Sequence, residues 1–332
     1  MNCSTQLPSP VSLPRMRAEH SPPVVVAEVI RSGFVEGHHH GSYVVLNSDG
    51  SVQRSAGYLG PIFPRSSNKL MQATAMIECG FDGPPEYLAL AAASHDGEPV
   101  HVATVREILG GAGLDESYLQ TPADWPYNEA AKLNVVRAGG VPEPITMNCS
   151  GKHSAMLATC VARGWSTDDY RAADHPLQLA IAATMERMCG EPIATIGVDG
   201  CGAPLFAMSL RAMARAARTM RISQDPVHSE VVSACMKYPL MVSGIRRLPT
   251  ILMESVDGLF VKDGAEGVMV ASLADGSVMV WKMSDGSQRG ASSLAAAGLA
   301  HLGISIEIER DLVYGDGRVV GEIRASKLVH HA

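Results

Sequence analysis

The chain has no long apolar run, no excess of basic residues and no closely spaced cysteine pair. None of its apolar runs reaches the roughly 18 residues that a membrane-spanning helix needs. Lys and Arg number 27 against 34 Asp and Glu, and this net charge of −7 argues against nucleic acid as the main partner. Internal repeats and coiled-coil heptads are also missing. The sequence therefore predicts a globular protein whose partner is neither nucleic acid nor a membrane.

Disulfide chemistry is not indicated either. The seven cysteines form no C-x-x-C pair, and they lie at positions 3, 79, 149, 160, 189, 201 and 235. An odd and scattered set in a chain of 332 residues predicts reduced thiols and a metal site more than a disulfide framework.

The N-terminal segment, residues 1–23, is rich in Pro and Ser and contains no apolar h-region. This composition predicts a flexible tail and not a signal peptide, so we expect a cytoplasmic protein. Hydrophobic residues make up 46% of the chain and charged residues 18%, which is enough apolar material for a core. We predict a single folded unit over residues 24–332.

Strand-type and helix-type segments are separated along the chain. Short β-type runs with turn signals are predicted within residues 24–60 and again within 250–325. Helical periodicity dominates residues 66–248, and the expected helices include 154–163, 176–189, 205–221 and 226–237. We therefore predict an α+β fold, with an antiparallel sheet flanked by helices and a helical block inserted between its two parts.

A run of three histidines, His38-His39-His40, lies in the predicted connection between the first two strands. Adjacent histidines can hold a metal, but they are more often found in solvated loops. We favour the solvated loop.

The segment Pro64-Arg65-Ser66-Ser67-Asn68-Lys69 is predicted to turn into a helix, with Ser66 or Ser67 capping its first turn. Ser66 and Lys69 are three residues apart, so they share one helix face. A serine followed by a lysine at this spacing is the Ser-x-x-Lys arrangement of acyl-transfer enzymes. The lysine can remove the proton of the serine hydroxyl if its own pKa is lowered. The motif alone is also common on solvated helices.

A second serine and a second lysine have two interpretations each. Ser94 lies in a loop before a predicted helix and is either a cap or a second hydroxyl in the site. Lys262 ends a predicted strand and is either a solvated edge residue or the second amine of the site. Their sequence separation is too large for spacing to pair them.

A metal constellation is also present. Cys149 and Cys201 each lie in a constrained turn, which suits thiolate ligands of zinc. Lys152 or His153 is the candidate third ligand, and a lysine binds zinc only as the neutral amine. Two other interpretations stay open: the cysteines are inert core residues, or Cys149 is itself a nucleophile. Asp199 either orients a metal ligand or forms an ordinary turn.

Taken together, these motifs resemble those of the inducible, rhizobial-type L-asparaginase family, which is asparaginase II-like. The resemblance covers about residues 24–325. The residues that carry it are Ile30-Arg31-Ser32-Gly33, Pro61 to Lys69, Leu88 to Pro99, Asn148 to His153, Gly197 to Pro204 and Leu259 to Gly267.

The resemblance implies a serine β-lactamase/glutaminase-like fold, a single catalytic unit, and hydrolysis of L-asparagine to L-aspartate and ammonia. It implies two catalytic pairs, Ser66 with Lys69 and Ser94 with Lys262. Ser66 is the favoured nucleophile because its lysine is local. The family also implies a homodimer.

The same resemblance implies a zinc ion bound by Cys149, Lys152 and Cys201. Arg65, His153 and Asp199 are expected to contact the substrate or to support these residues. The chain departs from the family pattern at Glu36-Gly37, at two of the three histidines and at Met147. These changes lie at the edge of the implied site. A glutaminase, a β-lactam-binding protein of the same fold and an inactive zinc-binding relative are the alternatives.

Overall fold

The main sheet is built from both ends of the chain. The computed structural model describes residues 21–330, so the predicted tail over 1–23 lies almost wholly outside the described residues. The strands are β1 Val24–Arg31, β2 Phe34–Leu46, β3 Val52–Ala56, β4 Pro61–Ile62, β5 Thr195–Val198, β6 Pro204–Ser209, β7 Phe260–Gly264, β8 Val268–Ser272, β9 Val278–Met283, β10 Asp311–Gly315 and β11 Arg318–Ala325. Eight of them form one antiparallel sheet in the order β10-β11-β1-β2-β9-β8-β7, with β3 paired to β2.

Helices fill most of the segment between the two parts of the sheet. They are α1 Lys69–Glu78, α2 Pro85–Ala91, α3 Pro99–Gly111, α4 Glu129–Arg137, α5 Ser150–Arg163, α6 Pro176–Cys189, α7 Leu210–Ile222, α8 Pro226–Lys237, α9 Pro239–Val242, α10 Leu248–Ser255, α11 Ala291–His301 and α12 Lys327–His330. Many begin with proline in their first turn, where the missing N–H has no helical partner to lose. In the described chain no helix is both long and apolar enough to cross a membrane.

The predicted α+β fold class is confirmed: an antiparallel sheet carries helices on both faces. Every residue of β7 and β8 is buried, which requires cover on both faces of these strands. Helix α7 packs on β2, β8 and β9, while α11 packs on β1, β10 and β11. A Cβ added at Gly298 of α11 would overlap Met279 of β9, so this glycine permits the close approach of helix and sheet.

Two details of the predicted secondary structure are wrong. The three histidines lie inside β2 and not in a loop, because β2 continues from Phe34 to Leu46 along β1. Only His39 of the three is buried, and its Nδ1 lies 2.7 Å from Asp285 Oδ2. Residues 205–209, predicted as helix, form β6, which pairs with both β4 and β5 in a second sheet.

Candidate active site

The turn that carries Ser66 is a single 3-10 turn, Arg65–Asn68, followed directly by α1. Ser67 Oγ donates a 2.7 Å hydrogen bond to Pro64 O, and neither serine caps α1. Arg65 has φ of +53°, in the left-handed region that non-glycine residues rarely adopt. Ser66 is half-buried on this turn. The turn is therefore conformationally constrained immediately before the predicted nucleophile.

The strand β7 passes very close to this turn. A Cβ added at Gly264 would lie 2.6 Å from Pro64 O, 3.0 Å from Ser67 N and 3.3 Å from Ser66 N. Only glycine allows two backbones to approach so closely without a shift. The end of β7 therefore packs directly against the backbone of the turn that carries Ser66.

Lys69 points to Ser94. Its Nζ lies 3.1 Å from Ser94 Oγ and 3.1 Å from Cys149 Sγ, and it also donates to Ala93 O. The side chain is completely buried. Within the described residues, Lys69 Nζ makes no hydrogen bond to Ser66 Oγ. The lysine that the Ser-x-x-Lys spacing assigned to Ser66 thus contacts the other serine.

Lys262 reaches the same hydroxyl from the opposite side. Its Nζ lies 3.3 Å from Ser94 Oγ, and the side chain has no exposed surface. Ser94 is 7% exposed and follows α2, and its backbone N–H donates to Val242 O at 2.9 Å. Lys262 is therefore not a solvated edge residue. Two amines from distant parts of the chain contact one serine oxygen.

The charge of Lys262 is controlled by its surroundings. Burial lowers the pKa of the Lys262 ammonium below its ordinary value, and the nearby Lys69 acts in the same direction. The Asp263 carboxylate opposes this shift, since Oδ1 and the backbone oxygen of Asp263 both lie 2.7 Å from Lys262 Nζ. A lysine with a lowered pKa loses its proton more readily and can act as a base.

Arg247 and Asp96, which were not predicted from the sequence, complete this cluster. Arg247 Nη1 donates to Asp96 Oδ1 at 3.0 Å, and its Nη2 donates to Asp263 Oδ2 at 2.8 Å. Burial raises the pKa of the Asp96 carboxyl to about 6, although Arg247 opposes this shift. Burial alone would also raise the pKa of Asp263, but Lys262 and Arg247 hold it below its usual range. The only sequence signal was the position of each acid beside Ser94 or Lys262.

The predicted zinc residues lie next to this cluster. Cys149 precedes α5, Lys152 lies in its first turn, and Cys201 lies in the turn between β5 and β6; all three are buried. Lys152 Nζ is 3.2 Å from Cys201 Sγ. Lys69 contacts both Ser94 and Cys149. The two lysines around Ser94 and the cysteine pair therefore form one continuous buried site.

The pKa values of the two thiols are shifted in opposite directions. Interaction with Cys149 and the Lys152 charge together hold the pKa of the Cys201 thiol far below its usual range. The same interaction with Cys201, together with burial, raises the pKa of Cys149. Burial disfavours the charged form of Lys152, but the negative charge of the cysteine pair and of Asp199 outweighs this and raises the pKa of Lys152. The pair therefore carries one thiolate, which Lys152 neutralises.

His153 lies between Tyr170 and Cys201. Its Nδ1 lies 2.8 Å from Tyr170 Oη, and the ring also interacts with the side chain of Cys201. Burial lowers the pKa of His153 to about 4, so the imidazole is neutral at ordinary pH. Two cysteine sulfurs and a neutral imidazole are donors that Zn²⁺ prefers, and Lys152 would join them only after losing its proton. The residue types present are thus compatible with the predicted zinc ion.

Asp199 joins the cysteine loop to the Ser66 turn. Its Oδ1 accepts a 2.8 Å hydrogen bond from Arg65 Nε, and it also accepts one from the Gly200 backbone at 2.8 Å. Arg65 Nη1 lies 3.7 Å from Glu266 Oε1 on the other side. Asp199 therefore links Arg65 to the loop that carries Cys201.

The family model for L-asparaginase II matches residues 27–325. Among solved structures, one from Bacteroides dorei, assigned provisionally as a beta-lactamase, matches 73% of this chain and 84% of its own at 15% identity and a TM-score of 0.42. A beta-lactamase from Mycobacterium bovis matches 74% of this chain and 88% of its own at 13% identity and a TM-score of 0.41. A search of the curated proteins finds no match. The match of the family model over nearly the whole described chain shows that the protein belongs to the L-asparaginase II family.

Proposed function

We propose that this protein hydrolyses L-asparagine to L-aspartate and ammonia through an acyl-serine intermediate on Ser94. The observation that supports this best is the contact of two buried amines with one hydroxyl: Lys69 Nζ at 3.1 Å and Lys262 Nζ at 3.3 Å from Ser94 Oγ. Two ammonium groups so close together repel each other, and burial disfavours the charged form of Lys262. Loss of a proton from one of them creates the base that a serine nucleophile needs.

The reaction follows from this geometry in two displacements. Neutral Lys262 takes the Ser94 proton, and Oγ attacks the side-chain amide carbon of asparagine. The resulting Lys262 ammonium returns the proton to the amide nitrogen as the C–N bond breaks, so that ammonia leaves. Water then gives a proton to Lys262 and attacks the ester carbon. As the bond from this carbon to Ser94 Oγ breaks, the Lys262 ammonium returns the proton to Oγ, which releases aspartate and restores the Ser94 hydroxyl and the neutral lysine.

Ser66 is the second candidate nucleophile. It is half-buried and hence more open to a substrate than Ser94, and its backbone N–H lies beside the end of β7. In the proposed reaction the Ser66 N–H would donate to the oxyanion that develops when Ser94 attacks. We therefore assign Ser66 to substrate stabilisation and Ser94 to attack.

Cys149, Lys152 and Cys201, with His153, would hold the zinc ion. When bound, the metal would keep both thiols deprotonated and fix the cysteine loops beside Lys69. This part of the proposal predicts one zinc per chain by metal analysis of the purified protein. Cys201→Ser should lose the metal. Cys235→Ser, which changes a buried cysteine on α8 that is not one of the proposed zinc ligands, should retain it. Full retention of zinc by Cys201→Ser would remove Cys201 from the ligand set.

The activity is tested by ammonia release from L-asparagine and from L-glutamine, with and without a chelator. We expect release from asparagine that Ser94→Ala abolishes. Faster ammonia release from glutamine than from asparagine would instead indicate that the protein is a glutaminase of the same fold. No release from either amide by the zinc-loaded protein would contradict the proposed reaction.

The homodimer is supported by the family resemblance alone, and the cytoplasmic location stays a prediction from the composition of residues 1–23. Light scattering of the purified protein would give twice the 35.1 kDa chain mass for a dimer. A single chain mass at all concentrations would contradict the homodimer.

A further inference from the structure

Arg247 connects the two halves of the Ser94–Lys262 pair. Asp96 lies two residues after Ser94, and Asp263 directly follows Lys262. One guanidinium reaches both carboxylates, at 3.0 Å from Asp96 and 2.8 Å from Asp263. The contacts therefore run without interruption from the serine loop, through Arg247, to the lysine strand.

The burial of this cluster makes these ion pairs strong. The exposed fraction of the side chain is 4% for Asp96, 11% for Asp263 and 25% for Arg247. The Tyr127 ring covers the outer face of the guanidinium, 4.6 Å from its central carbon. Ion pairs shielded in this way are screened much less than surface pairs, and removing one partner leaves an uncompensated buried charge.

Arginine is specifically suited to this position. Its planar fork donates to two acceptors in fixed directions, whereas a lysine ammonium is a point charge on a flexible stem. Gly244 leaves room for the arrangement, since a Cβ there would lie 2.4 Å from the Asp96 carboxylate. The loop that carries Arg247 is thus shaped around Asp96.

We propose that Arg247 is a positioning residue, which holds Asp96 and Asp263 so that Lys262 Nζ stays on the Ser94 hydroxyl. This role rests on the proposed function, because it concerns the same serine and lysine. Arg247 acts through the two acids and does not contact Ser94 Oγ within the described residues. Without it, Asp96 and Asp263 carry unbalanced negative charge, and Asp263 is left to pair with Lys262 alone.

The charge on Lys262 gives a readout that a purely structural role would not change. Loss of Arg247 leaves Asp263 less neutralised, which favours the protonated form of Lys262. The reaction needs neutral Lys262, so the pH below which kcat falls should move to a higher value. The charged or titratable groups that face Lys262 are Asp263 on its own strand, Lys69 on α1, Arg247 before α10 and Cys235 on α8.

The test compares Arg247→Lys and Arg247→Ala with Arg221→Ala. Arg221 is a matched control: it is part-buried and donates to the backbone oxygens of Leu273 and Gly258. For both Arg247 variants we expect kcat on asparagine to fall by about a hundredfold, with a smaller change in KM. Guanidinium at non-denaturing concentration should restore part of the activity of Arg247→Ala but not shift that of the control.

A second readout does not depend on asparagine turnover. The rate at which a fluorophosphonate modifies Ser94, followed by mass spectrometry across pH, reports the reactivity of the hydroxyl directly. We expect this rate to fall in both Arg247 variants, and its pH profile to shift upward in Arg247→Ala, where the positive charge is lost. A wild-type protein that is labelled at Ser94 but releases no ammonia would contradict the proposed function only. Folded Arg247 variants with wild-type labelling rate and pH profile would overturn the positioning role.

Discussion

The two candidate serines, Ser66 before α1 and Ser94 after α2, differ in burial and in the groups that contact them. Ser94 is almost buried, and two lysine amines contact its oxygen. Ser66 is half-buried on a strained turn, and its most notable neighbour is the backbone of β7. One hydroxyl is thus surrounded by groups that can move a proton, and the other by groups that can fix a position. The comparison teaches that local spacing does not identify the serine that a lysine contacts.

The largest effect should come from removing the two hydroxyls one at a time. Ser94→Ala should lower kcat for asparagine by at least about a thousandfold, because it removes the proposed nucleophile. Ser66→Ala should lower it by about tenfold at most, since its backbone N–H remains. Ammonia release and circular dichroism on both variants check this. The reverse ranking would exchange the roles of the two serines.

The backbone contact at Ser66 can be broken from the other side. Gly264→Ala places a Cβ 2.6 Å from Pro64 O, so the turn or the strand must shift. We expect the free energy of unfolding to fall by about 1–3 kcal/mol and the activity to fall with it. Gly37→Ala is the control, because a Cβ added at Gly37 has open space around it. Equal stability of the Gly264 and Gly37 variants would show that the contact is loose.

The acid beside Ser94 should make stability depend on pH. The pKa of Asp96 rises from 3.8 to about 6 on folding, so the folded state binds this proton more tightly. The protonated Asp96 therefore adds about 2–3 kcal/mol to the free energy of unfolding at low pH. This contribution is lost as the pH rises from about 4 to about 6. Asp96→Asn should remove this part of the slope. Denaturant unfolding of both proteins across this range measures it, and parallel pH curves would refute it.

The smallest effect concerns the Ser66 turn alone. Ser67→Ala removes the 2.7 Å hydrogen bond from Ser67 Oγ to Pro64 O. One neutral hydrogen bond contributes about 1 kcal/mol, and we expect that loss in the free energy of unfolding with kcat within about twofold of wild type. A large loss of activity with unchanged stability would mean that the turn itself takes part in the reaction.

Elements with local start and stop signals were predictable from the sequence. Helices α6 and α8 have the predicted bounds, because proline opens each one, Gly190 follows α6 and Pro239 lies two residues beyond α8. Strand β6 was not predictable, since its state is fixed by pairing with β4 and β5 and not by its own composition. The histidine run was misassigned for a similar reason: pairing with β1 keeps β2 extended across Gly37.

The site shows the same division. The cysteines and lysines stand out by residue type and by their turns. Arg247 does not, because its partners Asp96 and Asp263 lie 151 and 16 residues away and no spacing rule connects them. The partner of Lys69 was equally hidden, since the tertiary fold brings Ser94 to it across 25 residues.

The most direct test of the account is to find which serine forms the covalent intermediate. A diazoketone analogue of asparagine should alkylate the activated hydroxyl, and peptide mapping by mass spectrometry then locates the label. Two amines on one oxygen predict modification of Ser94, with none in Lys262→Met and with labelling retained in Ser66→Ala. A label on Ser66 that survives Ser94→Ala would contradict the claim that the lysines activate Ser94.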